Sequence, residues 1–153
     1  MNRTASRSKK VGSAARKASY RLVCQSTPKE LLRVETFLFK LGRELRLDDG
    51  SIHRLVVAVT EAVNNAILHG NKQNPAKKVV ISSAVTKHLL IIRIADEGEG
   101  FNPDVLENPL EEKNLLKEHG RGVFLMRSLM DEVKFKKRKA GQTVEMKLRL
   151  IVR

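Results

Sequence analysis

Two β-patterned runs separated by a single residue constrain the fold of this 153-residue chain more than any other feature. The segments "KKVVISSAVT" (77–86) and "HLLIIRIAD" (88–96) are joined only by Lys87, which predicts a tight β-hairpin. A two-layer fold buries one face of such a hairpin under another layer of secondary structure. The chain therefore needs amphipathic helices that pack on the hairpin.

Three other segments carry the helical spacing of apolar residues. Residues 27–30, "TPKE", predict the start of the first helix, with the threonine as N-cap and the proline in the first turn. The acidic and glycine-containing break at 48–51 predicts the N-cap of a second helix that ends near Gly70. The third helix is predicted to follow the glycines at 120–122 and to end near Met130.

Strand patterns at both ends of the chain complete the predicted architecture. Residues 19–26 read as a first strand, and "DEVKFKKRK" and "TVEMKLRLIV" read as the last two. The predicted order is therefore β-α-α-ββ-loop-α-ββ. This order favours an α/β two-layer sandwich, in which a mixed, mostly antiparallel sheet carries helices on one face.

The positive charge of the chain is concentrated at its N-terminus. The net charge is +13, and residues 1–21 hold seven basic residues and no acidic one, which is about half of the excess. Residues 1–18 contain too few apolar side chains to offset the entropy of ordering, so we predict a disordered arm there and one domain at 19–153. We interpret the arm as a solvated tail. Aromatic residues are only 4% of the chain, which argues against binding of single-stranded nucleic acid.

The apolar runs and the cysteine content indicate in which cellular compartment the protein is expected. No apolar run approaches the roughly 18 residues of a membrane-spanning helix, so no membrane association is expected. The single cysteine, Cys24, excludes an intramolecular disulfide framework and lies in an apolar stretch that predicts burial. Both features are compatible with a cytoplasmic protein.

The second predicted helix carries three polar residues spaced four apart: Glu61, Asn65 and His69. This spacing places them along one side of the helix, next to its apolar stripe. A carboxamide oxygen such as that of Asn65 suits Mg²⁺, and a carboxylate such as Glu61 can accept a proton from an attacking hydroxyl. Taken alone, the same pattern also fits an exposed polar helix face.

Glycines occur in two further polar stretches. Asp96 ends the second hairpin strand and is followed by Gly98 and Gly100, so its carboxylate could accept a hydrogen bond from an exocyclic amine such as that of adenine. Residues 120–122, Gly-Arg-Gly, stand at the mouth of a helix, where unpaired N–H groups suit a phosphate. A strand-ending turn and a glycine-containing turn are the alternatives.

Taken in order, these motifs resemble those of a known superfamily. "EAVNNAILHG", "DEGEGF" and "HGRGVFLM" are similar to the N box and the two glycine boxes of the GHKL, or histidine-kinase-like, ATPases. Within that superfamily, the chain looks most like the small bacterial anti-sigma-factor serine/threonine protein kinases. The resemblance covers about residues 20–151 and implies the GHKL ATPase fold, with ATP and Mg²⁺ as cofactors.

The resemblance also implies roles for individual residues. Asn65 would be the Mg²⁺ ligand, Glu61 the general base, and Asp96 the partner of the adenine amino group. Residues of about 104–119 would form a lid over ATP. The remaining contacts to the nucleotide would come from Ala66, His69, Gly70, Gly98, Gly100, Gly120, Arg121, Gly122, Val123 and Thr143.

The implied function is phosphoryl transfer to another protein. The substrate would be a serine or threonine of an anti-anti-sigma protein of the STAS type, and a homodimer of the chain would sequester a sigma factor in the cytoplasm. A non-catalytic switch that depends on ATP is the alternative. Glu118 stands where some kinases of the family have a basic residue, so Arg121 or a lid lysine such as Lys113 or Lys117 would have to supply that charge.

Overall fold

The computed structural model describes residues 19–99 and 118–151, with side chains of the second range from residue 120 onward. The predicted arm (1–18) and almost all of the predicted lid lie outside these residues. The elements, in chain order, are β1 (Ser19–Gln25), α1 (Glu30–Glu44), α2 (Asp49–Asn65), a π-helical turn (Ala66–Gly70), β2 (Lys78–Val85), β3 (Leu89–Ala95), α3 (Glu118–Leu129), β4 (Glu132–Arg138) and β5 (Gly141–Arg149).

Five strands form one sheet in the order β1-β2-β3-β5-β4. The predicted order of elements and the α/β sandwich are confirmed. The sheet was expected to be mixed, but all four neighbouring pairs of described strands are antiparallel. The reason is that α3 leads to the edge strand β4, and β5 then returns beside β3 in the opposite direction.

The hairpin expected around Lys87 is formed by β2 and β3. Val85 pairs with Leu90, and the Thr86 N–H donates to the carbonyl of Leu89 over 2.9 Å, which closes the turn. Alternate residues of both strands, such as Ile81 and Ile92, are fully buried under the helices. The hairpin thus forms the centre of the sheet and supplies much of the core.

A single hydrophobic core fills the space between the sheet and the helices. On α1, Val34, Leu38 and Leu41 point into it, at the spacing that the sequence predicts. Cys24 is fully buried in the same core, as expected. Within residues 19–99 and 118–151, no helix is both long enough and apolar enough to cross a membrane.

The face of the sheet opposite the helices carries an ionic cluster around Glu145. Its side chain is only 7% exposed and accepts hydrogen bonds from Arg93 Nε at 2.7 Å and Lys136 Nζ at 3.2 Å. Burial alone would raise the pKa of the Glu145 carboxyl, but the two cations together outweigh it and hold this pKa below its usual range. The charge is thus compensated on a face of the sheet that none of the described helices covers.

The two long helices begin differently. Asp48 caps α2 as predicted, because its carboxylate accepts from the Ser51 N–H at 2.9 Å. The predicted capping by Thr27 is wrong, since α1 begins at Glu30 and its N-cap, Lys29, makes no side-chain cap. The backbone carbonyls of residues 27 and 28 accept bonds of the tighter i→i+3 kind, which places these residues in a turn before the helix.

Candidate functional site

The end of α2 and the start of α3 enclose a polar cavity of about 280 Å³. The three polar residues that the sequence places on one side of α2 are brought together in its wall. The lining side chains and backbone come from Glu61, Asn64, Asn65, His69, Arg121, Gly122 and Leu125. Carboxylate, carboxamide, imidazole and guanidinium groups thus face one space that is large enough for a phosphate chain and a cation.

The last turn of this helix is π-helical, which the sequence did not predict. The α-helix ends at Asn65, and the N–H of Asn71 donates to the carbonyl of Ala66 at 2.7 Å, five residues earlier. A π turn holds one more residue than an α turn, and such turns occur often at functional sites. Here the wider turn still leaves His69 in the cavity wall with Asn65 and Glu61.

Asn65 is the most buried polar residue of the cavity wall. It is 7% exposed, and its Nδ2 atom is buried without a hydrogen-bond partner among the described residues. A Cβ built on Gly122 would lie 3.1 Å from that atom and 3.1 Å from Glu61 Oε2. The glycine therefore leaves open the space that the carboxamide and the carboxylate face.

The glycines of the second glycine box lie inside a helix. The sequence predicts that the helix follows them, but α3 begins at Glu118, two residues before Gly120. Glycine in a helix costs roughly 1 kcal/mol relative to alanine, and here its small size lets α3 lie close to α2 at the cavity. The first four N–H groups of a helix, counted from its N-cap, have no acceptor within it, so the N–H of Gly120 still points out of the N-terminus.

Asp96, directly after β3, has one carboxylate oxygen occupied by backbone donors. Oδ1 accepts from the N–H of Gly98 at 2.9 Å and from that of Gln142 at 3.2 Å. The described residues place no donor on Oδ2, although the side chain is only 5% exposed. This oxygen can accept a hydrogen bond from a ligand.

Close backbone packing surrounds this carboxylate. A Cβ on Gly70 would lie 2.6 Å from Asp96 Oδ2, and a Cβ on Gly98 would overlap the carbonyl of Gly70. The two glycines therefore let the π-helical turn and the loop after β3 touch through their backbones. Gly100, the other glycine predicted here, lies outside the described residues.

The side chains of three sequence-predicted site residues do not line the cavity. Ala66 and Val123 are buried in the hydrophobic core. Thr143 pairs with Ala95, and the alternation of β5 turns its side chain to the face of the sheet that carries Glu145, away from Asp96. The side chain of Thr143 therefore does not face Asp96, and the backbone of Gln142 lies beside that carboxylate.

Sequence reasoning missed residues that act through the backbone. Gly141 has φ +122°, and a Cβ there would overlap the carbonyl of Asp96, so only glycine fits. Arg138 Nη2 donates to the same carbonyl at 2.9 Å. Gly141 could have been found from the sequence, because it is a glycine between two β-patterned runs. No sequence pattern marks Arg138.

Comparisons with known proteins agree with this geometry. The sequence profile of the histidine kinase-like ATPase domain matches residues 24–148. A serine-protein kinase RsbW from Oceanobacillus iheyensis is 37% identical over 90 residues, and an anti-sigma F factor from Anoxybacillus flavithermus is 34% identical over 117 residues. These matches cover 55% and 74% of this chain, and 57% and 79% of the respective relatives.

A solved structure has the same fold. The crystal structure of the RsbU and RsbW domains of a Mycobacterium tuberculosis protein superposes with a TM-score of 0.66 at 18% identity. The superposition covers 87% of this chain and 32% of that one. The profile match takes in well over half of the sequence, and the cavity lies where α2 and α3 meet in this fold. The chain therefore belongs to the histidine kinase-like ATPase family.

Proposed function

We propose that this chain binds Mg-ATP in the cavity between α2 and α3 and transfers the γ-phosphoryl group to a serine or threonine of another protein. The observation that carries this proposal is the placement of Glu61 and Asn65 side by side, facing the open space beside Gly122. A carboxylate and a carboxamide at one cavity wall can supply a base for the nucleophile and an oxygen ligand for the metal, two of the parts that phosphoryl transfer uses. The proposed ATP-binding domain is 19–153, and the proposed arm is 1–18.

The residues present fit a magnesium ion that the nucleotide helps to hold. The carboxamide oxygen of Asn65 is the proposed protein ligand, since Oδ1 would lie 3.6 Å from a Cβ built on Gly122 and so borders the open space. The Nδ2 atom, which has no partner among the described residues, is a donor and can serve a phosphate oxygen. The described residues contain no cluster of three or more His, Cys, Asp or Glu side chains that could hold a metal unaided. Mg²⁺ is commonly bound by one or two protein ligands plus phosphate oxygens, and there it neutralises charge on the phosphates.

Opposite ends of the nucleotide would be held by different elements. Oδ2 of Asp96 would accept a hydrogen bond from the adenine amino group, and Gly98 and Gly100 would border the base. The N-terminus of α3 would bind the phosphates through its N–H groups and the Arg121 guanidinium. The other proposed contacts are Ala66, His69, Gly70, Gly120, Gly122, Val123 and, through its backbone only, Thr143.

In the transfer step, Glu61 would take the proton of the acceptor hydroxyl. The freed oxygen then bonds to the γ-phosphorus while the bond from this phosphorus to the β–γ bridging oxygen breaks, and ADP leaves with that oxygen. Glu61 holds the proton until the phosphoserine or phosphothreonine product departs. The protein contributes positioning and charge stabilisation, which suffices for this class of reaction.

The names of the relatives support the choice of partners. The Oceanobacillus relative is a serine-protein kinase, and the Anoxybacillus relative is an anti-sigma F factor. We propose that this chain likewise phosphorylates an anti-anti-sigma protein of the STAS type. As a homodimer in the cytoplasm, it would sequester a sigma factor.

Transfer of labelled phosphate tests the proposal. Wild-type protein, Mg²⁺ and ATP labelled at the γ position are incubated with lysate of the source cell, and the labelled protein is identified. Glu61→Ala is expected to lower the labelling rate by about 100-fold or more, since general-base catalysis contributes at least that much, and to keep its affinity for ATP. Asp49→Ala, at the opposite end of the same helix, is the matched control and is expected to label normally.

Two outcomes contradict the kinase assignment. One is a wild-type protein that binds ATP but labels no protein under any condition, which favours the non-catalytic switch. The other is Glu61→Ala protein that labels its target at the wild-type rate, which removes the general base from its role. A wild-type protein that takes up no Mg-ATP at millimolar concentration contradicts the nucleotide site itself.

A further inference from the structure

The loop that carries Asp96 is anchored by Asn71, a residue outside all three motifs. Asn71 follows the π-helical turn directly and is only 1% exposed. Its Nδ2 donates to Ser26 Oγ at 2.9 Å and to the carbonyl of Lys78 at 3.0 Å, while its Oδ1 accepts from the Glu97 N–H at 2.8 Å. Because both donors and the acceptor are used, the orientation of this carboxamide is fixed.

The bond to Glu97 holds the peptide that follows Asp96. On the other side of the loop, the Asp96 N–H donates to the carbonyl of Gln142 at 2.9 Å, and Arg138 donates to the carbonyl of Asp96. The backbone at Asp96 is thus held from two directions, by the β4–β5 hairpin and by Asn71. Since a rotation of this backbone would turn Oδ2, the bond to Asn71 helps to set where the available oxygen points, together with the bonds of Gly98 and Gln142 to Oδ1.

Asn71 also joins the two ends of the cleft. Its own N–H closes the π-helical turn on Ala66, one residue after Asn65, and its side chain holds the loop of Asp96. The Ser26 hydroxyl extends the network to the end of β1 by donating to the carbonyl of Lys77 at 2.6 Å. One buried carboxamide therefore sets the end of α2 relative to the loop after β3.

We propose that Asn71 is a positioning residue for base selection, which aims Oδ2 of Asp96 at the 6-amino group of a purine nucleotide without touching the nucleotide. The inference rests on the proposed function, because it assumes that ATP occupies the cleft. A hydrogen bond to a carboxylate is strong only when its distance and angle are right. Loss of the anchor is therefore expected to weaken recognition of the amino group more than binding of the rest of the nucleotide.

Calorimetric titration of two nucleotides tests this inference. ATP and purine riboside triphosphate differ at C6 of the base, where the second has hydrogen in place of the amino group. With Mg²⁺ present, wild-type protein is expected to bind ATP more tightly. In Asn71→Ala this preference is expected to fall by about tenfold, mainly because ATP binds more weakly, as for the loss of one charged hydrogen bond.

Two variants control for a general loss of structure, with the melting temperature of each protein as the measure of folding. Ser26→Ala removes two hydrogen bonds of the same network, the one from Asn71 Nδ2 and the one to the carbonyl of Lys77, but leaves the bond to Glu97, so it is expected to keep the wild-type preference for ATP. Asn71→Asp keeps an acceptor for the Glu97 N–H but turns a buried carboxylate oxygen towards the carbonyl of Lys78, so it is expected to melt at a lower temperature than wild type and to keep more of the preference for ATP than Asn71→Ala does.

Two results overturn the proposal: an unchanged preference in Asn71→Ala, whether or not both nucleotides bind more weakly, or a failure of both Asn71 variants to fold while Ser26→Ala folds. The last result would mean that Asn71 supports the fold alone. Wild-type protein that binds neither nucleotide refutes the proposed function, and the inference falls with it. If wild-type protein binds ATP but Asn71→Ala keeps its preference for ATP, the inference about Asn71 is refuted and the proposed function is retained.

Discussion

The shape of the site depends on glycines, because each of them lacks a Cβ atom. Gly98 and Gly70 let two backbones touch, whereas Gly122 leaves open the volume that Asn65 and Glu61 face. At Gly141 the constraint is conformational, because φ +122° is rarely adopted by a residue with a Cβ. One residue type thus serves close packing, free volume and backbone geometry within the same cleft.

Substitution of Gly122 separates binding from folding. In Gly122→Ala, the new methyl group would crowd Asn65 and Glu61, so we expect the affinity for Mg-ATP to fall by about tenfold or more. The free energy of unfolding is expected to change by less than about 1 kcal/mol, because the preference of alanine for the helix is opposed by the close contacts with Asn65 Nδ2 and Glu61 Oε2. Titration calorimetry and urea unfolding measure the two effects.

Gly50→Ala is the control for this experiment. Gly50 is exposed at the start of α2, and a Cβ there would approach only the surface carboxylate of Asp48. This variant is expected to bind Mg-ATP as the wild type does. Wild-type affinity in Gly122→Ala would show that the space beside Asn65 is not where the phosphates bind.

At the scale of the element, the two long helices show which local signals are reliable. Asp48 caps α2 because its carboxylate reaches the Ser51 N–H, whereas the threonine and proline at 27–28 form a turn and leave α1 without a side-chain cap. The π-helical turn could not be predicted, because the bond of the Asn71 N–H to Ala66 accompanies side-chain bonds to distant strands. A local sequence pattern thus predicts a helix end when the hydrogen-bond partner of that end is also close in the sequence.

Alanine substitution at the two helix starts measures this difference. Asp48→Ala is expected to lower the free energy of unfolding by about 1 kcal/mol, through loss of the cap. Thr27→Ala is expected to change it by less than about 0.5 kcal/mol, because its backbone carbonyl, which accepts from Glu30, is retained. Urea unfolding followed by circular dichroism compares them. Equal losses in both variants would refute the assignment of the caps.

At the scale of the molecule, one core under one face of an antiparallel sheet organises everything else. The sequence predicts this arrangement because Leu38, Ile81 and Ile92 repeat with the period of their elements, and all three are fully buried. The placement of the candidate residues on α2 was predictable from the same period. The surroundings of Asp96 were not, because they depend on the backbone of Gln142 and on the carboxamide of Asn71, which come from distant parts of the chain.

The ionic cluster around Glu145 is expected to make the stability of the fold depend on pH. The pKa of Glu145 is lower in the folded protein than in the unfolded chain, so the ionic cluster stabilises the fold above the unfolded pKa of about 4.3. This stabilisation is lost as the pH falls below that value towards the folded pKa. Glu145→Gln is expected to be less stable than wild type by about 1–3 kcal/mol at pH 7.

Urea unfolding of both proteins between pH 7 and pH 3 checks this expectation. The difference between wild type and variant should be constant down to about pH 5 and should shrink below it. A difference that does not vary with pH would show that the carboxylate gains nothing from Arg93 and Lys136 when the chain folds.

The π-helical turn also restricts how the chain can change in length. The number of residues between Asn65 and Asn71 is fixed, because deletion of one would restore α-helical geometry and move Gly70 away from Gly98. The exposed loop that follows, residues 72–76, carries no such restriction, and Lys72 and Gln73 already adopt left-handed turn conformations there. Insertions, reporter tags and natural variation in loop size therefore belong within residues 72–76, and neither in this turn nor next to Asn71.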